Sequence, residues 1–492
     1  MNYKKSLLIV CVLCCTALLI TRCNSNSDTD TAHSVNISPK ELPVLVPGFH
    51  FPEDSNRIYS WMNDKNFPNN YDSASIYSHA WGIWAGLTAN SGEIYAGDSL
   101  LVFETWLGIS EIQDMIKKDN PDGGCAGNAK HSRALLSRAN QLKHGFNRAQ
   151  HTDMKISNSM KTPIDTNANS SNSNFWVTVS YDPNAACYAT KNSILKQSVL
   201  DKYAVSNGIG SIPSFPTKSI TIKPAYYVGR KTDDLIRIFV WSGPPNPAKA
   251  YPDTIWPTVV YADVHNKQGP NKKLTPAPVS ATDKKVIDAA TCNLSDFIYF
   301  KLDSAMAKHM NEADKTEDGP SFASAGDIAI LMGMHVTTKE INNWTWQSYY
   351  WSPNPAHPFF PSSDLAASLM PKQLQGAASH YAVATGYCMV IPNQPIIGGT
   401  NVGKSPMFGW NPYLEAGFSG LASSPLIPGS QFGIQTNCMS CHIMATSSGK
   451  LPYNTAQYIS LDDTIFKNQV HVDFAWSIAN NKIPIDTGKN KK

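Results

Sequence analysis

The chain has 492 residues with 41 Lys and Arg against 38 Asp and Glu, and its formal charge of +3 comes without any basic block or stripe, which excludes nucleic acid as an expected partner. Hydrophobic residues make up 42%, ordinary for a globular chain, and the length accommodates two or three domains. The 12 Trp, 20 Tyr and 33 Pro point to a loop-rich fold with aromatic packing rather than to a helical bundle.

Residues 1–23 read as an export leader. Lys4 and Lys5 form a basic start, and residues 7–20 are an apolar run of 14, short for a bilayer span. Cys23 follows Ile20, Thr21 and Arg22 and precedes a polar stretch. That layout matches a bacterial lipoprotein leader with Cys23 lipidated, which would attach the protein to a membrane. Arg22 departs from the pattern, which takes a small residue there, so cleavage without lipidation and an uncleaved anchor remain alternatives. Residues 24–43 read as a polar tether, and the globular region is expected over 44–492. The expected location is the periplasm, free or held on a membrane as a lipoprotein.

Residues 75–89 carry His79, Trp81 and Trp84 in a helix-compatible pattern, and Ile109, Ile112 and Met115 recur every three residues on one helical face. Residues 121–124 (Pro-Asp-Gly-Gly) are a turn, and 151–174, rich in Ser, Asn and Thr, read as a long surface loop. Strands are expected over 175–181, 219–228, 235–241, 258–263 and 297–302, a helix over 193–204, and loops over 244–257 and 267–278. Residues 327–336 are ambiguous; the preferred reading is a strand that turns near 339–343 and returns through 344–351. This mixture predicts an α+β fold with a largely antiparallel sheet, flanking helices and long loops.

Outside the leader and the C-terminal motif described next, four cysteines remain: Cys125, Cys187, Cys292 and Cys388. In an exported chain they allow two disulfides, with three possible connectivities, or they stay buried as free thiols. Residues 398–405 match the phosphate-loop pattern G-x-x-x-x-G-K-S. Such a loop must open a helix, and Pro406, Gly409 and Pro412 follow instead, so ATP is not expected as a ligand.

The most specific signal is Cys438-Met439-Ser440-Cys441-His442, a C-x-x-C-H attachment motif for c-type haem. Two thiols at this spacing form thioethers with the two vinyl groups of one haem, and the adjacent His442 becomes the proximal iron ligand. A redox C-x-x-C is the competing reading; a zinc site would need a second ligand pair at short spacing. Only 50 residues (492 minus 442) follow His442, and Met444 is the sole methionine among them. Met439 and Met444 are too close to His442 to reach the opposite haem face. The other axial ligand is therefore expected from upstream, or from His471. His335 is the first candidate for the distal ligand, because Gly333 two residues away would leave room for a flat ring. Met332, Met334, His380, Met389 and His471 are the alternatives, with five-coordinate iron a further one. The haem-attachment segment, about 405–480, is thus expected to share one unit with the upstream fold.

These stretches also resemble a group of large exported bacterial cytochrome c family proteins with a single C-terminal haem-c motif. The resemblance rests on Met334-His335-Val336-Thr337-Thr338-Lys339-Glu340 with Trp344-Thr345-Trp346 and Tyr349-Tyr350-Trp351; on Asn411-Pro412-Tyr413-Leu414-Glu415 leading to the motif; on Asp473-Phe474-Ala475-Trp476-Ser477; and more weakly on Phe215-Pro216 with residues 220–223. It implies one covalent haem c per chain and electron transfer with a redox partner protein or a small-molecule donor or acceptor. The roughly 400 upstream residues exceed what a carrier needs, so a haem-dependent periplasmic enzyme, peroxidase-like or a small-molecule oxidoreductase with an open sixth iron position, is the alternative. A binding module with a structural haem is a third and weaker reading.

Overall fold

The β-branched and aromatic runs of the middle of the chain form one twisted antiparallel sheet in the computed structural model. It describes residues 35–95, 97–125, 132–133, 175–244, 251–252, 255–269, 273–314, 323–416, 437–451 and 457–485. The leader, most of the expected tether and the expected 151–174 loop lie outside these. The described residues belong to one unit, Val35–Lys492. Among them no helix is long and apolar enough to cross a membrane.

Helix α1 (Ser55–Trp61) is capped by Asp54, and α2 (Ser73–Leu87) by Asp72, whose carboxylate accepts from the Ser75 amide. Strand β1 (Leu107–Gly108) leads into α3 (Ile109–Lys117). Strands β2 (Phe175–Val177) and β3 (Ser180–Tyr181) precede α4 (Pro183–Lys191), which starts on an Asp182 cap with proline at its first position. The long strand β4 (Ile220–Gly229) follows, then β5 (Leu235–Phe239), β6 (Thr258–Asp263), β7 (Ala277–Pro278), β8 (Thr291–Asn293) and β9 (Tyr299–Lys301). The hairpin of β10 (Ile328–Thr338) and β11 (Thr345–Trp351) comes next, then β12 (Tyr381–Thr385), α5 (Pro412–Glu415) and the motif helix α6 (Cys438–His442).

The main sheet runs β12-β11-β10-β4-β3-β1, with β9 also paired to β10 and β2 to β4, and every pairing in it is antiparallel. A second sheet runs β5-β6-β7, with β8 parallel to β6. The fold is α+β. The ambiguous 327–336 run is the expected strand-and-return hairpin. Residues 193–204 are less regular than expected: one short helical turn at Gln197–Leu200 passes into a tighter turn at Asp201–Tyr203.

Strand β11 is buried along its whole length. On one face Tyr349 stacks on Trp84 of α2 at 4.3 Å, and the Trp84 indole donates to Ala378 O. A bulge at Met332 shifts the register of β10 against β4, from Leu331↔Tyr226 to Gly333↔Ala225. Leu331 therefore shares the α2 face with Met334 and Val336, and does not lie on the face of Gly333 and His335 as regular alternation predicts.

Residues 37–43, expected in the tether, are part of the fold. Ile37 is fully buried, and the Trp106 indole donates to Lys40 O. Among the described residues one disulfide forms, Cys125–Cys187, while Cys292 and Cys388 are buried outside any disulfide. After Lys404, Ser405–Pro406 pairs as a strand with Val390–Ile391, so the phosphate-loop look-alike opens no helix. Truncating the indole that joins helix to sheet, Trp84→Ala, should cost about 3–5 kcal/mol in a denaturant titration.

Candidate functional site

The sequence of the motif segment explains its local shape. Asn437 caps α6: its side-chain oxygen accepts from the Ser440 amide and hydroxyl, and its amide donates to Met389 O and Met407 O. It has no exposed surface, and two of its four bonds tie the start of the motif to two upstream loops. Gly409 and Gly386 let the segment come close: a Cβ on Gly409 would meet Thr385 O at 2.5 Å, and one on Gly386 would sit 3.4 Å from Asn437 Cβ. Gly409 O accepts from both the amide and the thiol of Cys438.

Neither Cys438 nor Cys441 is in a disulfide. Burial pushes both up from the usual thiol range, and the nearby Glu415 carboxylate adds to the effect. His442 packs its ring against Trp346, centroids 4.2 Å apart, and donates from Nδ1 to Phe474 O at 2.8 Å. That bond leaves a lone pair on Nε2, the atom a metal would take. Burial lowers His442 to about 3; the Phe474 bond opposes this, and the fields of His335 and Lys223 add to it. The imidazole is thus held neutral, in its ligating form.

His335 stands on the sheet face that carries the motif. Its cross-strand neighbours there are Lys223 on β4 and Ser348 on β11. Its Nε2 donates to Glu415, at the end of α5, while Nδ1 is buried with no partner. The space above Gly333, expected to admit a ring, is taken by Asn411, whose amide donates to Ser348 Oγ and Tyr349 O and would lie 2.6 Å from an added Cβ. Glycine is needed there for a side chain of the chain itself.

The other distal candidates are elsewhere. Met334 faces α2, on the far side of the sheet from His335. His380 lies 3.8 Å from Asp296, and His471 packs on Phe466 between Val470 and Val472. Met389 and Met444 are buried in the apolar cluster beneath the motif, and Met439 Sδ there accepts from Asn343 Nδ2. Among the described residues no group of three or more His, Cys, Asp or Glu gathers at one point as a direct metal site would require.

Two elements that composition and spacing did not single out complete the site. Glu415 and Lys223 carry its charge, and the turn at Asp473 and Phe474 presents the carbonyl to His442. Glu415 and the Asp473-Phe474 pair were visible inside the quoted stretches, but nothing local marks them as partners of residues 80 and 32 positions away.

No protein-family model matches the chain, and no curated protein or solved structure is detectably similar to it.

Asn437→Ala removes the cap and a donor from the Met389 and Met407 carbonyls, so it should lower stability by on the order of 3 kcal/mol in chemical denaturation. A pH effect follows from the buried imidazoles. His442 is lowered to about 3 and His471 to about 4, both by burial, whereas an unfolded histidine titrates near 6.5. The unfolded chain therefore binds the extra protons between those values. Stability of the haem-free protein should fall as pH drops from about 6.5 toward 4, and His442→Gln should flatten that fall in denaturant midpoints measured across the window.

Proposed function

We propose that this chain is an exported c-type cytochrome that holds one covalent haem and passes single electrons to and from a redox partner. The observation that carries the reading is the pair of imidazoles. Each has one ring nitrogen tied to an oxygen acceptor, Phe474 O for His442 and the Glu415 carboxylate for His335, and each keeps the other as a lone pair in a buried, aromatic-walled site. A hydrogen-bonded outer nitrogen is how ligating histidines are oriented and kept basic.

In this reading Cys438 and Cys441 supply the two thioether bonds, His442 Nε2 the proximal ligand and His335 Nδ1 the distal one. Bound haem supplies one-electron chemistry. The protein's own contribution is orientation and dryness. Phe474 O fixes the tautomer of His442, Glu415 fixes that of His335, and Trp346 covers the imidazole edge and excludes water. The Cys125–Cys187 disulfide supports an oxidising compartment, in line with the export leader and with the periplasm or a lipid-anchored form.

The test is the protein made in a host that attaches haem c. The purified chain should keep its haem through denaturing extraction and show a six-coordinate, low-spin spectrum that does not respond to CO. A Cys438→Ala, Cys441→Ala variant that still retained haem after that extraction would remove the covalent assignment. His335→Ala should turn the spectrum high-spin and CO-responsive. A wild-type haem that already binds CO or cyanide would instead favour the haem enzyme with an open sixth position.

A further inference from the structure

The acceptor for His442 sits on unusual backbone. Asp473 and Phe474 are consecutive non-glycine residues in the left-handed region, with φ of 49° and 67°. Such a pair persists only where surrounding contacts hold it. Phe474 is buried in the cluster beneath the motif, and its carbonyl points at His442 Nδ1. The Asp473 carboxylate is gripped twice, by Lys339 Nζ at 2.7 Å and by the Phe215 amide at 2.9 Å.

Lys339 belongs to the turn of the β10–β11 hairpin. Its side chain is 4% exposed, and that of Asp473 is 10% exposed, so the pair is removed from water. Lys339 also donates to Asn342 O and lies 5.2 Å over the Trp344 ring. The same turn reaches the motif directly, because Asn343 donates to Met439 Sδ and accepts from the Trp346 indole with its carbonyl. One hairpin turn therefore positions both the ring beside His442 and the acceptor beneath it. A depression of about 660 Å³ lined by Lys339, Phe215, Glu53 and Tyr59 opens beside this pair. A buried ion pair contributes little net stability, since desolvation offsets attraction, and it is best attested where it fixes one arrangement among several.

We propose that Lys339 and Asp473 are positioning residues for the proximal imidazole: their ion pair holds the left-handed Asp473–Phe474 turn so that Phe474 O stays on His442 Nδ1–H, and this sets the basicity of the iron ligand and hence the redox equilibrium. The inference rests on the cytochrome reading for its redox consequence, and on geometry alone for the hydrogen bond. A firm Nδ1 bond makes the imidazole a stronger donor and favours oxidised iron; loosening it favours reduced iron.

The experiment uses haem-loaded full-length protein with the double variant Lys339→Met, Asp473→Asn. The asparagine keeps an acceptor for the Phe215 amide, and the double variant leaves no unpaired buried charge, so folding is retained where Lys339→Met alone would fail. Haem content and thermal melting are checked first. The reduction equilibrium against a reference dye should then shift toward the reduced form by about threefold or more. The His442 Nδ1 proton, followed by NMR in the reduced state, should exchange with solvent about tenfold faster, and Lys339→Arg, which keeps a cation opposite Asp473, should leave both readouts at their wild-type values. Arg230→Met, which breaks the Arg230–Asp327 pair elsewhere in the fold, is the control and should move neither. A folded, haem-loaded double variant with wild-type equilibrium and exchange overturns the proposal, as does an equal shift in the control. Should the wild-type chain load no haem, the cytochrome reading fails, and the pair is judged on Nδ1 exchange in the haem-free protein: faster exchange in the double variant upholds it, unchanged exchange overturns it.

Discussion

Strand β11 is covered on both faces, and the site depends on that double burial. Its Tyr349 face packs on α2, and its Trp346 and Ser348 face lies under the motif helix and Asn411. Each aromatic removed from water contributes about 1.5–3 kcal/mol, so slipping the strand would lose several such contacts at once. Because side chains alternate, a one-residue slip of β11 would also turn Trp346 and Ser348 toward α2 and away from His442. Packing on the α2 side therefore enforces register, and register delivers the functional face.

The second requirement is that polar groups on this dry face be matched. Unpaired buried donors and charges cost several kcal/mol, which accounts for the density of bonds around the motif. Asn437 closes the start of α6, Glu415 receives His335, and Lys339 meets Asp473. His335 Nδ1 is buried without a partner, as are the Trp344 and Trp410 indole nitrogens and His471 Nε2 among the described residues. The proposed function rests on the two imidazoles, each with one ring nitrogen bonded to an oxygen acceptor.

Much of the architecture was legible from local chemistry. The hairpin of 328–351 reads from β-branched and aromatic runs flanking a polar turn, and the α2 helix reads from its spacing. The motif reads from chemistry alone, since two thiols and a histidine at that spacing have few uses. What failed did so for identifiable reasons. Regular alternation placed Leu331 on the face of His335, but the bulge at Met332 inserts one residue and flips it. Gly333 read as space for a ring; the space exists, and Asn411, 78 positions later in sequence, occupies it. Residues 37–43 read as tether because their composition is polar, yet Ile37 and the Lys40 carbonyl find partners in the core. Of the four cysteines, spacing could not say which pair; proximity joined Cys125 to Cys187 and buried the other two apart.

By itself the amino-acid sequence determined the C-x-x-C-H motif and the α+β class. These are properties of adjacent residues, which need no fold. The tertiary structure alone decided which distant groups meet the motif: His335, Lys223 and Glu415 on one side, Phe474 held by Lys339 and Asp473 on the other. Those contacts join residues 32 to 134 positions apart where they are hydrogen-bonded. Such pairings are set by sheet register and by burial on both faces of one strand, and neither is encoded in any local pattern.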